Sequence, residues 1–506
     1  MLQAPPSHYL LTASLSQEVD HRTIEEVDID GFTLMEVAGS SAAKKLLKDY
    51  KHAGWSHGLY LCGKGNNGGD TLVVARYLLQ HDIAATIVFL SGTDDLSPDA
   101  QKNWELLQQF DDQDQLQHHK SWEAFTETDL EYSFIIDGML GTGLDSDLRG
   151  SYTSAVQWAN EQSTSVFAMD IPTGLHADTG QIMGESIQAD RTFAFGGHKQ
   201  GFYLEVGPAQ TGDVTYCELP FPNQFKSSSN TFLLDESWVP RPTLQPGQHK
   251  YASGVLYIIA GSEGLTGAAQ LAARSAWAEG LGAIILICPR GLLSIYEQTL
   301  PSIIKKPVGS KSDEHFTRQH LANVLEIIGK KEGAVLIGPG LGRQEGTIQF
   351  TNEFLSQNTR DAIIDADALW ALAQQKDGWR KPDNTQWILT PHPGELGRFT
   401  DQAVADDYNR LTFVRNFSSD KQITVLSKGM PGIIGTSSGP CYLTNYNTRY
   451  FARAGNGDVL AGKIAAYVAL GQEPDQSCAN ALLQGKQKLD SYLQDSSDLP
   501  EPKDFI

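Results

Sequence analysis

Gly58-Leu59-Tyr60-Leu61-Cys62 is a short apolar run, and the glycine-rich segment Gly65-Asn66-Asn67-Gly68-Gly69-Asp70 follows it closely. A run of this length predicts a buried strand, and the glycines predict a tight exit into a helix, which we place over 70–80. Strand, turn and helix recur in this order along the chain. Short buried strands that alternate with helices indicate a parallel sheet covered on both faces, so the predicted fold class is α/β.

The alternation starts twice, which predicts two domains. In the first half, apolar periodicity predicts strands over 59–62, 84–90, 132–137, 165–170 and 191–195. In the second half it predicts a first strand over 255–260, a hairpin formed by 433–435 and 441–443, and helices over 456–470 and 475–493. A polar segment at 226–230 lacks periodicity and separates the two patterns. We therefore place a first domain over 1–225 and a second over 231–506.

Composition limits the classes of protein that the chain can belong to. A length of 506 residues exceeds what one hydrophobic core normally supports. The formal net charge of −22 argues against a nucleic-acid partner. No apolar stretch is long enough to span a bilayer, the N-terminus does not look like a secretory signal, and the five cysteines are scattered. These features predict a cytoplasmic multidomain enzyme without disulfides, structural zinc or a membrane partner.

Three carboxylates follow predicted strands of the first domain. They are Asp70, Asp137 in Asp137-Gly138-Met139-Leu140-Gly141-Thr142-Gly143-Leu144, and Asp170 in Asp170-Ile171-Pro172-Thr173-Gly174. One such loop is as often an ordinary turn as a binding site. Three at one edge of a parallel sheet favour a site, because ligands bind beyond the carboxyl ends of the strands. The oxygen atoms of Asn67, Asp137 and Thr173 are suited to a hard cation.

The second domain carries Gly455-Asn456-Gly457-Asp458 at the start of a long apolar helix. Glycines let consecutive N–H groups point at a phosphate, and Asp458 can then act as a base on a substrate hydroxyl. An aspartate that only caps the helix is the alternative. Two other predicted strand ends carry His392 and Lys428. His392 either contacts a ligand or is an ordinary loop histidine. Lys428 either binds a phosphate or is a solvated surface charge.

Over roughly the first 220 residues the chain resembles the NAD(P)H-hydrate epimerase (YjeF N-terminal) family, through the segments 34–39, 65–70, 137–144 and 169–174. The resemblance implies a Rossmann-like three-layer parallel-sheet domain that interconverts the R and S forms of a hydrated nicotinamide cofactor. It implies potassium at Asn67, Asp137 and Thr173, with Asp170 as the acid–base residue. The implied substrate contacts are Asn66, Asn67, Gly68, Gly69, Asp70, Gly141, Thr142, Gly143, Leu144, Asp145, Ser146, Asp147 and Asp170.

From about residue 231 onward the chain resembles the ribokinase-like NAD(P)H-hydrate dehydratase (YjeF C-terminal) family. The matching segments are His249-Lys250-Tyr251…Gly254, 264–269, 338–342, 365–369, 390–395 and 454–462. The resemblance implies a ribokinase-like α/β domain that uses ADP or ATP as co-substrate together with magnesium. It implies hydrate contacts at Ala268, Gly340, His392 and Asp458, and nucleotide contacts at Lys428, Gly429, Met430, Pro431, Gly432 and Gly457. Fusion of the two domains favours ADP.

Together the resemblances imply a bifunctional enzyme that epimerises the hydrates of NADH and NADPH and dehydrates the S form. Two other interpretations fit the same residues. A small-molecule kinase with an accessory domain would share the anion site and the base. A cofactor-binding protein with an eroded second site would explain why Asn456 and Gly432 stand where the family carries threonine. Small-molecule substrates are the expected partners, and we expect a homo-oligomer.

Overall fold

The computed structural model describes residues 2–111, 114–125, 131–240, 254–375, 378–400, 404–446, 449–496 and 498–506, which form two compact units. One unit is Pro5–Phe232, and the other is Leu233–Ile506 together with Met1–Ala4. Leu2 explains that grouping: its N–H donates to Asp475 Oδ2 at 2.7 Å, and its carbonyl accepts from the Tyr442 hydroxyl at 2.9 Å. The segment predicted to open the first domain thus packs in the second unit.

The first unit is built on a parallel sheet of seven strands, in the order β4-β3-β2-β5-β6-β7-β9, and a separate pair, β1 and β8. The strands are β1 (Leu10–Leu11), β2 (His57–Cys62), β3 (Ala84–Phe89), β4 (Leu116–His119), β5 (Phe134–Gly138), β6 (Val166–Met169), β7 (Arg191–Phe195), β8 (His198–Lys199) and β9 (Asp213–Cys217). The helices are α1 (Ala13–Val27), α2 (Gly31–Asp49), α3 (Asn66–Leu79), α4 (Pro98–Gln109), α5 (Ser151–Glu161) and α6 (Gly207–Thr211).

Both faces of this sheet are buried. Tyr60 and Cys62 belong to one apolar cluster, while Leu59 and Leu61 belong to another. Because successive side chains of a strand point to opposite faces, the two clusters are the cores above and below the sheet. The predicted three-layer α/β architecture is confirmed.

Two features of the first unit differ from the sequence-based expectations. Helix α3 begins at Asn66 and not at Asp70, so the predicted loop 66–69 forms the first turn of the helix. Helix α1, which the periodicity analysis did not assign, precedes the predicted pattern. Its N-cap is Thr12, whose side chain accepts the N–H of Leu15 at 3.2 Å.

The second unit is built on a sheet in the order β10-β19-β18-β17-β16-β15-β14-β11-β12-β13. The strands are β10 (Thr231–Leu234), β11 (Val255–Ile259), β12 (Ala283–Pro289), β13 (Ile304–Val308), β14 (Ala334–Ile337), β15 (Ala362–Ile364), β16 (Trp387–Leu389), β17 (Thr424–Ser427), β18 (Ile433–Gly435) and β19 (Cys441–Thr444). Strands β11 to β17 pair in parallel, whereas β17, β18 and β19 pair antiparallel, which confirms the predicted hairpin.

The helices of the second unit are α7 (Thr266–Ala278), α8 (Leu293–Thr299), α9 (Leu321–Gly329), α10 (Glu345–Gln357), α11 (Ala366–Ala373), α12 (Pro393–Leu396), α13 (Asp407–Lys421), α14 (Asn456–Ala469) and α15 (Pro474–Asp495). Helices α7 to α13 connect the parallel strands of the sheet, and α14 and α15 follow β19. Every residue of β11 and β12 is buried, which requires helices on both faces. The predicted segment His249-Lys250-Tyr251 lies outside the described residues. None of the helices in the described part of the chain is long and apolar enough to cross a membrane.

Candidate active sites

Three strand exits of the first unit are joined by hydrogen bonds. The amide of Asn67, in the first turn of α3, donates to the carbonyl of Leu140 at 2.9 Å. The N–H of Leu140, beyond β5, donates to Thr173 Oγ1 at 3.0 Å. Because β2, β5 and β6 are neighbours in the sheet, their exits meet at one edge. The structure therefore brings Asn67 and Thr173 together, as the sequence predicted.

Asp137 lies near the carboxyl end of β5, at the same edge of the sheet. It is fully buried, and it accepts the Thr173 N–H and the Thr173 hydroxyl, each at 2.7 Å, and the Met139 N–H at 3.2 Å. Burial raises the pKa of Asp137 to about 6, against the lowering effect of these hydrogen bonds. No lysine, arginine or histidine among the described residues forms an ion pair with it. A buried carboxylate in such surroundings is suited to a cation.

Asn67 supplies an unsatisfied oxygen. Its Oδ1 atom is buried and accepts no hydrogen bond from any described residue. An orphaned amide oxygen is costly unless a ligand uses it. With the Asp137 carboxylate and the Thr173 hydroxyl, this donor set has the chemistry of a site for a hard cation.

Asp170 lies just beyond β6 with a left-handed backbone, at a φ of 59°. Its Oδ1 atom accepts the ammonium of Lys199, which is completely buried, and the N–H of Phe195 at 3.1 Å. Lys199 also donates to the carbonyls of Phe195 and Gly197, at 3.2 Å each. No described residue donates to Oδ2 of Asp170, so that oxygen is left for a ligand. Sequence reasoning missed Lys199, although it follows two glycines at the exit of β7.

Asp70 completes an acidic cluster. It is only 8% exposed and receives no hydrogen bond from the described residues. Burial raises its pKa well above the ordinary value, and the charges of Asp170 and Asp20 raise it further, while Lys199 opposes them. Asp20 comes from α1, and burial and Asp170 raise its pKa as well. Sequence reasoning did not assign Asp20, because α1 lies outside the glycine-rich pattern.

The glycines of this region permit close approach of the backbone. A Cβ atom at Gly68 would lie 2.1 Å from the carbonyl oxygen of Gly63, so no larger residue fits there. In the second loop, Gly141 contacts Asn67, whose Cβ atom would lie 3.6 Å from an added methyl group. The predicted contacts Asp145, Ser146 and Asp147 are all exposed.

In the second unit, Gly455 has a φ of 96° and is the N-cap of α14. The N–H of Val459 bonds back to Gly455 at 3.1 Å, which leaves the N–H groups of Gly457 and Asp458 without partners inside the helix. Together with the helix dipole they form an anion site.

The Asp458 carboxylate lies at this anion site and receives no hydrogen bond from the described residues. Burial raises its pKa to about 7, the charges of Asp365 and Asp367 raise it too, and Lys428 lowers it. A carboxylate with a pKa near neutrality is well matched to the work of a general base.

Lys428 forms an ion pair with a carboxylate and also lies beside the anion site. Its ammonium donates to Asp365 Oδ1 at 2.7 Å, and the same oxygen accepts the Thr390 hydroxyl at 2.7 Å. A Cβ atom at Gly457 would lie 3.3 Å from the Lys428 ammonium. No short-range sequence pattern predicts the ion pair with Asp365, because the two residues lie 63 positions apart.

The loop after β17 is held from behind by Arg410, which is 3% exposed. Its guanidinium donates to the Pro431 carbonyl at 2.7 Å and to Ser427 Oγ at 3.2 Å. Gly429 has a φ of 141°, and Met430 is 47% exposed. Arg410 therefore fixes the segment that carries the predicted nucleotide contacts, and no sequence pattern indicated that role.

Ala268, in the first turn of α7, lies close to Gly340 beyond β14, and His392 follows β16. Gly340 has a φ of 61°, and a Cβ atom there would lie 3.2 Å from that of Ala268. His392 is the N-cap of α12: its Nδ1 atom accepts the Gly394 N–H at 3.0 Å, which leaves the ring proton on Nε2. The His392 side chain is 58% exposed, as a contact to a ligand would require.

A cavity of about 560 Å³ adjoins this site. It is lined by the predicted residues His392, Lys428, Gly429, Gly432 and Gly457. It is also lined by the apolar and aromatic residues Tyr446, Phe451, Ala481, Leu482 and Phe505. The volume and the mixture of polar groups and aromatic rings suit a small molecule with a charged and an aromatic part.

Both halves of the chain match known protein families. Residues 31–201 match the family described as YjeF-related protein N-terminus, and residues 256–495 match NAD(P)H-hydrate dehydratase. The second unit is also similar to the crystal structure of the ADP/ATP-dependent NAD(P)H-hydrate dehydratase from Bacillus subtilis, co-crystallised with ATP and Mg²⁺. That similarity has a TM-score of 0.46 and 24% identity, over 54% of this chain and 94% of the other.

Relatives of similar length match the chain almost from end to end. The bifunctional NAD(P)H-hydrate repair enzyme Nnr of Salinibacter ruber is 32% identical over 96% of this chain and 92% of the relative. Its counterpart in Moorella thermoacetica is 31% identical over 93% of this chain and 90% of the relative. The chain belongs to the family of bifunctional NAD(P)H-hydrate repair enzymes.

Proposed function

We propose that the first unit epimerises the hydrates of NADH and NADPH and that the second unit dehydrates the S hydrate with ADP as the preferred co-substrate. The observation that carries the second half of the proposal is the cavity beside Asp458. Its lining includes a helix N-terminus and an ammonium for phosphates, and aromatic rings for a base.

In the second unit, Asp458 removes the proton from the substrate hydroxyl while that oxygen attacks the terminal phosphorus of the nucleotide. The N–H groups of Gly457 and Asp458 and the ammonium of Lys428 stabilise the transferred phosphoryl group. The ring nitrogen then expels phosphate, and loss of the neighbouring carbon-bound proton restores the reduced nicotinamide. ADP is converted to AMP and phosphate in this scheme.

Magnesium would enter this site with the nucleotide. Among the described residues no group of three or more histidine, cysteine, aspartate or glutamate side chains could hold a metal ion. Magnesium is commonly bound by substrate phosphates and a few protein oxygens, so such a cluster is not required. Its charge would neutralise the phosphates during transfer.

In the first unit, we assign the acid–base role to Asp170. Lys199 fixes one carboxylate oxygen, and the free oxygen can give a proton to the departing hydroxyl of the hydrate. Water that returns to either face of the ring would interconvert the R and S forms. A potassium ion held by Asn67, Asp137 and Thr173 would satisfy the orphaned Asn67 oxygen and order the three strand exits around the substrate.

One assay tests the proposed function. The protein is incubated with hydrated NADH and either ADP or ATP, and recovery of the near-ultraviolet absorbance of reduced nicotinamide is followed. We expect recovery with both nucleotides, faster with ADP, and conversion of both epimers by the intact chain. A stable phosphorylated product without recovery would show a small-molecule kinase instead, and failure to bind ADP at all would show an eroded site.

The subunit organisation remains part of this proposal. We propose a cytoplasmic homo-oligomer in which residues 1–225 and 231–506 are the two catalytic domains. Light scattering of the purified chain tests the oligomeric state, and separate expression of each domain tests the boundaries. A monomer in solution, or an inactive isolated second domain, would count against this organisation.

A further inference from the structure

Residues 498–506 pack against the N-terminus of α14. Arg453 donates to the carbonyls of Pro500 at 2.7 Å and Leu499 at 3.3 Å. Pro502 begins a short helical turn, Pro502–Phe505, and a Cβ atom at Gly455 would lie 3.2 Å from its ring. The C-terminal segment therefore rests directly on the glycine that opens the anion site.

Phe505 anchors the segment and also lines the cavity. It is 3% exposed and packs in an apolar cluster with Val459 and Leu489. Its ring centroid lies 4.8 Å from that of Phe451, with an angle of 40° between the planes. Both rings line the same cavity as Lys428 and Gly457.

The arrangement of charge and aromatic surface identifies the chemical class of ligand. A phosphate alone would use only the helix N-terminus and Lys428. A ligand that also contacts the aromatic rings needs a charged tail and a flat apolar head, which is the chemistry of a nucleotide. Aromatic side chains bind nucleobases by contact with the faces of the rings, without reading a particular hydrogen-bond pattern.

We propose that the C-terminal turn Pro502–Phe505 is a working part of the nucleotide site, in which Phe451 contacts the base, Phe505 positions the Phe451 ring, and the contact of Pro502 with Gly455 positions the anion site. This inference rests on the proposed nucleotide-dependent dehydration. It assigns a positioning role to Pro502 and Phe505, which lie beyond the matched dehydratase segment 256–495.

The test compares Phe505→Ala, Phe505→Leu and the matched control Leu499→Ala in the full chain. Leu499 is in the same segment, is 59% exposed, and contributes its carbonyl and not its side chain to Arg453. We expect Phe505→Ala to raise the KM for ADP about 10-fold, comparable with losing one stacking contact, because the Phe451 ring loses the side chain that positions it. The Leu variant keeps apolar packing and should raise that KM less. The Leu499 control and the epimerase rate should match the wild type.

A ligand that lacks a base distinguishes the loss of base binding from disruption of the whole nucleotide site. Pyrophosphate is used as a competitor of ADP, and we expect it to inhibit the wild type and Phe505→Leu with the same inhibition constant. A KM for ADP unchanged in both Phe505 variants, or an equal loss of pyrophosphate binding, would overturn the inference. A wild-type chain without nucleotide-dependent repair would refute the proposed function instead, so the two failures are distinguishable.

Discussion

Each unit contains one carboxylate that is paired with a lysine and one that receives no hydrogen bond from the described residues. In each, a buried or half-buried ammonium holds one carboxylate: Lys199 holds Asp170, and Lys428 holds Asp365. In each, a second carboxylate receives no hydrogen bond from the described residues and has a raised pKa, namely Asp70 and Asp458. We assign the chemistry to the held carboxylate in the first unit and to the free one in the second.

The difference follows from what each reaction needs. Epimerisation needs one group that gives a proton and, as its conjugate base, takes a proton back. The ammonium of Lys199 fixes one oxygen of Asp170 and so orients the other oxygen for this work. Phosphoryl transfer needs a base beside an anion site, and an ammonium bound directly to that base would depress its basicity. Asp365 takes the ammonium in the second unit and leaves Asp458 basic.

Replacement of the free carboxylate in the second unit should have the largest effect. Asp458→Asn is expected to lower the dehydration rate about 1,000-fold, within the range of a lost general base, and to leave epimerisation unchanged. Steady-state assays of both reactions on the same preparation measure this. Dehydration at the wild-type rate would remove Asp458 from the mechanism.

In the first unit, we expect replacement of the lysine-paired carboxylate to have a larger effect than replacement of the unpaired one. Asp170→Asn is expected to lower epimerisation about 100-fold or more, because the acid–base group is lost, and Asp70→Asn about 10-fold, because only the surrounding charge changes. Exchange between R and S hydrates, followed by chromatography, gives both rates. If Asp70→Asn were the more damaging change, both units would use the free carboxylate and the contrast would disappear.

The pH dependence of dehydration sharpens the comparison. Asp458 is protonated and inactive below its pKa of about 7, so kcat/KM should rise as the pH increases through about 7. Lys428→Met removes a charge that lowers this pKa, and the rise should therefore move to higher pH. A profile that is flat from pH 6 to 8, estimated as about one unit on either side of the pKa, would contradict the assignment.

Cation dependence should distinguish the first unit from the second. Asn67→Ala removes the orphaned buried oxygen, and we expect the potassium concentration that half-saturates epimerisation to rise about 10-fold, comparable with losing one well-placed ligand. Titration with KCl at constant ionic strength measures it, with choline as the balancing cation. The dehydration rate of the same variant serves as the control. An unchanged potassium requirement would show that no cation binds at Asn67.

The smallest effect is expected at the acidic end of the second loop. Asp147→Ala should change the epimerase KM by only about 2-fold, because the side chain is exposed and a solvated contact contributes little. Measurement of KM for both NADH and NADPH hydrates gives the result. A large change would show that the loop closes over the substrate.

The sequence predicted most of the fold because the fold follows from local patterns. The apolar run Leu59–Cys62 and the Gly65–Asp70 turn define a strand and a helix start without reference to the rest of the chain. The error at α3 was confined to four residues, since asparagine and glycine are typical of both turns and first helical turns. Helix α1 was missed because most of its residues are polar or charged, so that few apolar side chains mark its buried face.

The sequence by itself determined which loops carry glycine and which carboxylates end strands. Only the tertiary structure decided how those groups are paired. Lys199 meets Asp170 because β7 lies beside β6. Lys428, which follows β17, meets Asp365, which follows β15, across the exit of the intervening strand β16. Phe505 reaches the cavity from the far end of the chain. Charge pairing and burial depend on which elements become neighbours, and these neighbours set the pKa of Asp458. Short-range sequence patterns do not contain that information.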